Sequence, residues 1–427
     1  MNKPRVLVMA EAANPEFVSV PLVGWSLANA LRAVADVHIV TQIRNHDAFV
    51  RAGLKEGVDF TSLDTENVAA PLWRVAKLFG PGAWTVKQAL SSIPDAYFER
   101  KVWERFGAEI TTGDWDIVHR VTPLSPTKPS YVARQCAKVS VPFVIGPLNG
   151  GVPWPVGFDQ ERRREGEWLS YVRSAYKLLP GRTATLKAAS AILAGSRFTM
   201  SEIPQAYADK TIYLPENGID TERFHLRAMP GAQKGPLQGC FVGRMVPYKG
   251  PDMLIEAAAP LLKAGQLRLT MIGDGPLLPE LKQTVADRGL SEAVKFCGWL
   301  EHQQVQGVMA ACDLLTFPSI REFGGGVVLE AMALGLPPLV VDYAGPGELV
   351  KPEWGYTVPI GTRAEIIRDL SDALEHCVKN PEELLHKGAA AQARVEEAFT
   401  WARKAEQIAK VYDWVREASG PAPRLMR

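Results

Sequence analysis

The chain has 427 residues, with 48 Lys and Arg against 47 Asp and Glu and a formal net charge of +1. At about 100–200 residues per domain, that length suggests two or three domains. A hydrophobic fraction of 47% excludes disorder as the main state, and the near-neutral charge argues against a nucleic-acid binder, which needs a basic face to neutralise phosphates.

In chain order, residues 5–10 form a short apolar run of the kind that makes a buried parallel strand. A loop rich in Pro, Asn and Ser follows, then a helical pattern over 24–35 and a second strand over 37–41. Further strands are expected at 116–119, at 141–145 (closed by Gly146-Pro147-Leu148-Asn149-Gly150-Gly151), at 191–194 and at 211–214. The rhythm restarts after Pro215-Glu216-Asn217-Gly218-Ile219-Asp220, with strands at 239–243, 267–272, 294–297, 314–317 and 338–341. Helices are expected between them at 253–264, 278–288, 305–311 and 327–334, and over 381–417, before a loose tail. Strands alternating with helices indicate parallel α/β sheets, here in two units that meet near residue 215.

Two segments interrupt this alternation. Residues 65–110 carry helical patterns with Trp73, Phe79, Trp84, Tyr97 and Trp103. Residues 154–182 mix Trp154, Phe158, Trp168, Tyr171 and Tyr176 with Arg162-Arg163-Arg164, Arg173, Lys177 and Arg182. Interleaved basic and aromatic residues suit an anionic membrane surface, or else amphipathic helices with a solvated charged face, a reading that Glu161, Glu165 and Glu167 favour. Cys136, Cys240, Cys297, Cys312 and Cys377 form no CxxC pair and are odd in number, which fits reduced thiols better than disulfides or a zinc site. The first apolar run is too short for a signal-peptide core, and no stretch approaches the roughly 18 apolar residues of a membrane span. The expected location is the cytoplasm, with peripheral contact at the inner face of a membrane left open.

The chemistry concentrates in residues 318–335, Pro-Ser-Ile-Arg-Glu-Phe-Gly-Gly-Gly-Val-Val-Leu-Glu-Ala-Met-Ala-Leu-Gly, which follow an expected strand and open an expected helix. Gly324, Gly325 and Gly326 let bare backbone approach a ligand, and the helix start offers N–H groups to a phosphate. Glu322 and Glu330 flank that turn and can accept hydrogen bonds from sugar hydroxyls. After the first strand of the second unit, Gly243-Arg244-Met245-Val246-Pro247-Tyr248-Lys249-Gly250 holds two cations that can converge on one diphosphate and stabilise charge on a leaving phosphate. Both elements lie at the C-terminal ends of strands, where open α/β sheets bind ligands.

These residues resemble the retaining nucleotide-sugar glycosyltransferases of the GT-B fold, family 4 (glycosyl transferases group 1). Glu322 and Glu330 have that family's spacing of two glutamates with seven residues between them, completed by Ala331-Met332-Ala333-Leu334-Gly335. Gly243-Arg244 with Lys249-Gly250, Asn217 to Asp220, Gly273 to Pro276 and Lys295 to Gly298 are further matches. The resemblance is dense over 213–350 and looser before it. It implies an α/β GT-B fold of two Rossmann-like domains facing across a cleft: an acceptor-binding domain over 1–215, a nucleotide-sugar-binding domain over 216–400, and a C-terminal helix with tail over 401–427 that returns to the first.

The resemblance also implies roles. Arg244 and Lys249 would bind the donor diphosphate, Glu330 the ribose hydroxyls and Glu322 the transferred sugar, with Gly243, Gly298, Gly324, Gly325, Gly326 and Val327 lining the donor site. His119 would face the donor sugar from the first domain, although a lone histidine is commonly structural. Asn149, Gly150 and Gly151 would line the cleft or form an ordinary turn. Gly24 is the one glycine in a loop where the family often has a pair, so its role is open. Phe323 and Gly324 stand where the family has Pro and Phe, which withholds any inference of donor preference. Asp114-Trp115-Asp116 imitates the metal motif of another glycosyltransferase fold but reads as a surface turn, and the resemblance implies neither metal nor cofactor. The expected activity is retaining transfer of a sugar from a nucleoside-diphosphate sugar, with UDP as the expected carrier, to a saccharide, lipid-linked or small-molecule acceptor. The alternatives are a nucleotide-sugar epimerase, a sugar-phosphate synthase, or a non-catalytic nucleotide-sugar-binding protein.

Overall fold

A computed structural model describes residues 3–78, 84–164, 180–231, 235–417 and 419–426. Phe79, Glu165, Glu167, Trp168, Tyr171, Arg173, Tyr176 and Lys177, singled out above, lie outside the described residues. The chain divides into two compact units. The first comprises Met1–Gly151, Gly166–Glu216 and Trp401–Arg427; the second comprises Val152–Glu165 and Asn217–Thr400.

The first unit is built on strands β1 (Arg5–Ala10), β2 (Asp36–Gln42), β3 (Phe60–Leu63), β4 (Ile117–Thr122), β5 (Phe143–Leu148), β6 (Ala191–Ala194) and β7 (Thr211–Tyr213). They form one parallel sheet in the order β3-β2-β1-β4-β5-β6-β7, so the strand order reverses beside β1. The apolar run of β1 serves both faces: Val6, Val8 and Ala10 enter one core, Leu7 and Met9 the other. The helix Trp401–Glu417 closes the first of these cores with Ala405, Ile408, Val411, Tyr412 and Val415, spaced for one helical face. It lies against the helix Val20–Leu31, whose Leu27, Ala28 and Leu31 belong to the same core. Each fully buried Leu, Ile or Val among these contributes about 1.5–3 kcal/mol, and each Ala less.

The second unit carries β8 (Leu237–Val242), β9 (Leu267–Ile272), β10 (Val294–Gly298), β11 (Leu314–Phe317), β12 (Pro338–Asp342) and β13 (Tyr356–Pro359). Its parallel sheet runs β10-β9-β8-β11-β12-β13, reversing between β8 and β11. Such a reversal opens a crevice at the C-terminal strand ends, because the flanking connections depart to opposite faces.

Several elements differ from the sequence reading. The edge strands β3 and β13 escape it, since four residues at a sheet edge give no clear alternation, and the helix Arg363–Lys379 is also absent from it. Strand β5 does not close at residue 145 but continues through Gly146 to Leu148, with a register shift against β6. The helical run after residue 381 is two helices, Pro381–Ala398 and Trp401–Glu417, interrupted where Thr400 pairs with Ile219. The first belongs to the second unit and the other to the first. The stretch Val152–Glu165 also falls in the second unit, not with residues 1–215. Its attachment is specific: Val152 and Pro153 accept hydrogen bonds from Arg321 and Tyr343, and Trp154 meets Tyr248 edge-on.

Candidate functional site

The reversal beside β8 is where the motif residues assemble. After β8, Pro247–Lys249 form a short 3₁₀ turn that hands over to the helix Pro251–Lys263 through Gly250. Gly250 has φ 68°, and a Cβ there would lie 2.6 Å from the Pro318 carbonyl oxygen, so the two loops touch through bare backbone. The Tyr248 carbonyl accepts from Ile320 N at 2.9 Å and from Ser319 Oγ at 3.2 Å. The loops that follow β8 and β11 are thereby stitched together, and this fixes Lys249 beside the residues after Phe317.

Lys249 pairs with Glu322, and both are largely buried, their side chains 13% and 22% exposed. The ammonium also lies 5.0 Å from the Phe317 ring and 5.7 Å from the Tyr248 ring. Burial, with Arg244 and Arg321 nearby, pushes its pKa down from 10.5 to about 7. Arg244 itself is exposed. Arg321 sits over the Trp154 ring at 5.1 Å and 6.0 Å from the Tyr248 ring, with Nε donating to Val152 O at 3.2 Å.

The glycine turn has a geometric reason. A Cβ at Gly324 would fall 2.3 Å from the Asn217 side-chain nitrogen, which explains a glycine where the resembled family has Phe. Gly325 adopts φ 57° as the residue before the helix Gly326–Ala333. That helix has no side-chain cap and no acid in its first turn. Val328 N bonds back to Gly325 O at 3.0 Å, the N–H groups ahead of it have no intrahelical acceptor, and the positive end of the helix favours an anion. Val327 and Glu330 are half-buried within it. Gly243 donates to Ile272 O, and the Gly298 carbonyl accepts from Gly273 N at 2.8 Å, so the ends of β8, β9 and β10 run side by side. The structure thus brings Gly243, Arg244, Lys249, Glu322 and the glycines 324–326 to one sheet edge. Among the described residues, no group of three or more His, Cys, Asp and Glu could hold a metal ion.

The candidates of the first unit fare differently. His119 is fully buried in β4, and both ring nitrogens are engaged: Nδ1 with Tyr412 Oη at 2.7 Å and Nε2 with Gly146 O at 2.9 Å. A carbonyl only accepts, so Nε2 carries the proton and Tyr412 donates to Nδ1. Burial lowers its pKa to about 4, which keeps the ring neutral. This corrects the expectation of a sugar-facing histidine: the ring has no nitrogen to offer and instead pins the last helix to the sheet. Gly24 is likewise a packing position, since a Cβ there would meet Ala12 O at 2.2 Å. Asn149 to Gly151 form a turn whose groups bond one another and neighbours: Asn149 Nδ2 to Glu216 Oε2 at 2.7 Å, Gly151 N to Asn149 Oδ1 at 2.9 Å, and Gly150 N to Thr199 Oγ1 at 3.0 Å. Asp116 accepts from Arg5 N and Asp114 from Thr112 Oγ1, as befits a turn before β4.

Two charged groupings in this unit were not anticipated. Glu11, just past β1, meets Arg44 Nη2 at 3.3 Å; burial, helped by Asp95, raises its pKa to about 7. Lys404 donates to Pro215 O, and burial lowers its pKa to about 7, while burial raises Glu216 to about 7. Arg321, Trp154 and Asn217 of the second unit were named in the sequence reading without a role at this site. Arg321 had a visible signal, a cation directly before Glu322; Asn217 stood in a matching motif with no role attached, and Trp154 read as part of a basic aromatic stretch.

Residues 222–393 match the family of glycosyl transferases group 1. Among similar curated proteins, 2-deoxystreptamine glucosyltransferase of Streptomyces kanamyceticus is 34% identical over 172 residues, 40% of this chain and 43% of that protein. The GDP-mannose-dependent monoacylated alpha-(1-6)-phosphatidylinositol monomannoside mannosyltransferase of Corynebacterium glutamicum is 29% identical over 238 residues, 51% of this chain and 60% of that protein. The chain spans about half the length of the curated relatives it matches. Among solved structures, Anabaena HepE in complex with UDP superposes with a TM-score of 0.64 at 18% identity, covering 96% of this chain and 99% of that one. That likeness carries the fold, the two-domain α/β architecture called GT-B.

Proposed function

We propose, for a chain whose residues 222–393 match the glycosyl transferases group 1 family, the transfer of a sugar from a nucleoside-diphosphate sugar to an acceptor hydroxyl, with retention at the anomeric carbon. The observation that carries this reading is the Lys249–Glu322 pair beside Arg244 and the uncapped helix start at Gly326. One group suits phosphate, the other suits sugar hydroxyls, and each holds the other in the absence of donor. Binding exchanges the partners: diphosphate oxygens take Lys249, Arg244 and the leading N–H groups of the helix, while hydroxyls of the transferred sugar donate to Glu322. Glu330 accepts from the ribose hydroxyls.

In the chemical step the bond from the anomeric carbon to the β-phosphate oxygen breaks, and its electron pair stays on that oxygen. The acceptor oxygen bonds to the same face of the carbon, and its proton passes to the departing phosphate. Charge grows on the phosphate as it leaves, and fixed cations already in position stabilise that growth without reorganising. His119 takes no part in this scheme, and neither does a metal ion or other cofactor. UDP is the carrier assigned, supported by the HepE complex with UDP, although the mannosyltransferase relative is named for GDP-mannose. The acceptor, a saccharide, a lipid-linked saccharide or a small molecule, is assigned to the first unit.

A direct test incubates the full chain with UDP-, GDP- and ADP-sugars and a panel of acceptors, and reads the anomeric configuration of the product by NMR. Retained configuration in a product that needs acceptor supports the reading. Inverted product refutes the retaining assignment, and sugar rearrangement without acceptor favours an epimerase.

A further inference from the structure

Arg321, directly before Glu322, is a charged residue at this edge of the second unit that the proposed chemistry leaves unused. It stands between two fixed partners. On one side its Nε donates to Val152 O at 3.2 Å and its guanidinium lies 5.1 Å from the Trp154 ring centre. On the other it lies 6.0 Å from the ring of Tyr248, the residue before Lys249, whose ammonium is 5.7 Å from the same ring. Trp154 and Tyr248 meet edge-on at 6.1 Å, and Tyr343 Oη donates to Pro153 O at 3.2 Å. The stretch 152–154 is thus tied down at three places along the loops after β8, β11 and β12. A guanidinium flanked by aromatic rings loses little further freedom on meeting an oxyanion, because its planar fork is already oriented.

Charge arithmetic gives this placement a use. The diphosphate of an intact nucleoside-diphosphate sugar carries two negative charges, and further charge grows on it as the sugar departs, before the acceptor's proton reaches it. Arg244 and Lys249 against Glu322 leave a local balance of one positive charge; adding Arg321 makes it two. We propose that Arg321, held by Val152 and Trp154, is a third cation of the donor site that reads the diphosphate. The inference rests on the function proposed above and adds a residue and a charge requirement to it. The lowered pKa of Lys249, to which Arg321 contributes, is consistent with such crowding of like charge before an anion arrives.

The experiment compares a charged and an uncharged ligand that share a nucleoside. UDP, GDP and ADP are first titrated into the full chain by calorimetry to choose the tightest, and the matching nucleoside is titrated by ligand-observed NMR. Arg321→Gln is expected to weaken the diphosphate at least tenfold while leaving the nucleoside within twofold, and Arg321→Lys to recover part of the loss. A purely structural role would move nucleoside and diphosphate together, or neither, and either result overturns the proposal. Lys249→Ala runs in parallel. If it weakens the diphosphate while Arg321→Gln does not, the inference fails and the proposed function stands. If the unaltered chain binds none of the three diphosphates, both fail. Should Arg321→Gln not fold, Trp154→Leu replaces it, with the same selective loss of the diphosphate expected and an unchanged diphosphate affinity as the contrary result.

Discussion

The two units share a plan, a parallel sheet whose strand order reverses beside one central strand, yet they use the reversal differently. In the second unit the loops at that edge are short and glycine-rich, and Lys249 meets Glu322 there. In the first, the edge is drawn together from distant positions, and its polar groups are largely committed to one another: His119 to Tyr412 and Gly146, Asn149 to Glu216, Lys128 to Asp95. An ion pair whose partners a ligand can replace suits binding, whereas a closed network suits a scaffold that holds its shape.

The sharpest way to break this contrast is Lys249→Ala. It is expected to lower turnover of a nucleotide sugar by about 10²–10³, the usual loss when one fixed donor of charge stabilisation is removed, with little change in the melting midpoint. The mirror experiment is Tyr412→Phe in the first unit, which leaves the buried Nδ1 of His119 unpaired. A loss of about 1–3 kcal/mol in denaturant unfolding is expected, with turnover per folded molecule unchanged. A drop in turnover at full folding would return His119 to the chemistry.

A smaller effect is expected from pH. Lys249 titrates at about 7 in the free protein, and a bound diphosphate favours its charged form. Donor affinity should therefore fall as pH rises above 7, by up to about tenfold per unit, because binding must then take up a proton. The trend should vanish in Lys249→Arg, which calorimetry at pH 6.5, 7.5 and 8.5 would show. Gly324→Ala pushes a methyl into the Asn217 side chain and should raise the donor KM several-fold, with Asn217→Ala relieving part of it. The smallest expected effect is that of a chelator: initial rates with and without EDTA should agree, and a loss restored by added divalent metal would contradict the metal-free scheme.

How far the sequence spoke also follows the two regions. The second unit was legible because its chemistry is local: Glu322, Gly324, Gly325, Gly326 and Glu330 are neighbours in sequence, and strands such as β9 and β11 coincide with their apolar runs. Residues whose partners are remote in sequence were not. His119 ends a run that reads like a site, and only the packing of Tyr412, far along the chain, reveals that both its nitrogens are taken. Glu11 with Arg44, and Glu216 with Lys404, owe their shifted protonation to burial, which periodicity does not report. Trp154 looked like part of a basic aromatic stretch in the first domain, but its contacts lie with Tyr248 and Arg321.

The central claim is that Lys249 and Glu322 exchange each other for the diphosphate and the sugar of a donor. Calorimetric titration of the full chain and of Glu322→Gln with a nucleoside diphosphate tests this most directly. Freeing Lys249 from its carboxylate should make the nucleoside diphosphate bind several-fold tighter, while turnover of the nucleotide sugar falls. Unchanged or weaker binding of the nucleoside diphosphate in Glu322→Gln, with the variant folded, would contradict the exchange.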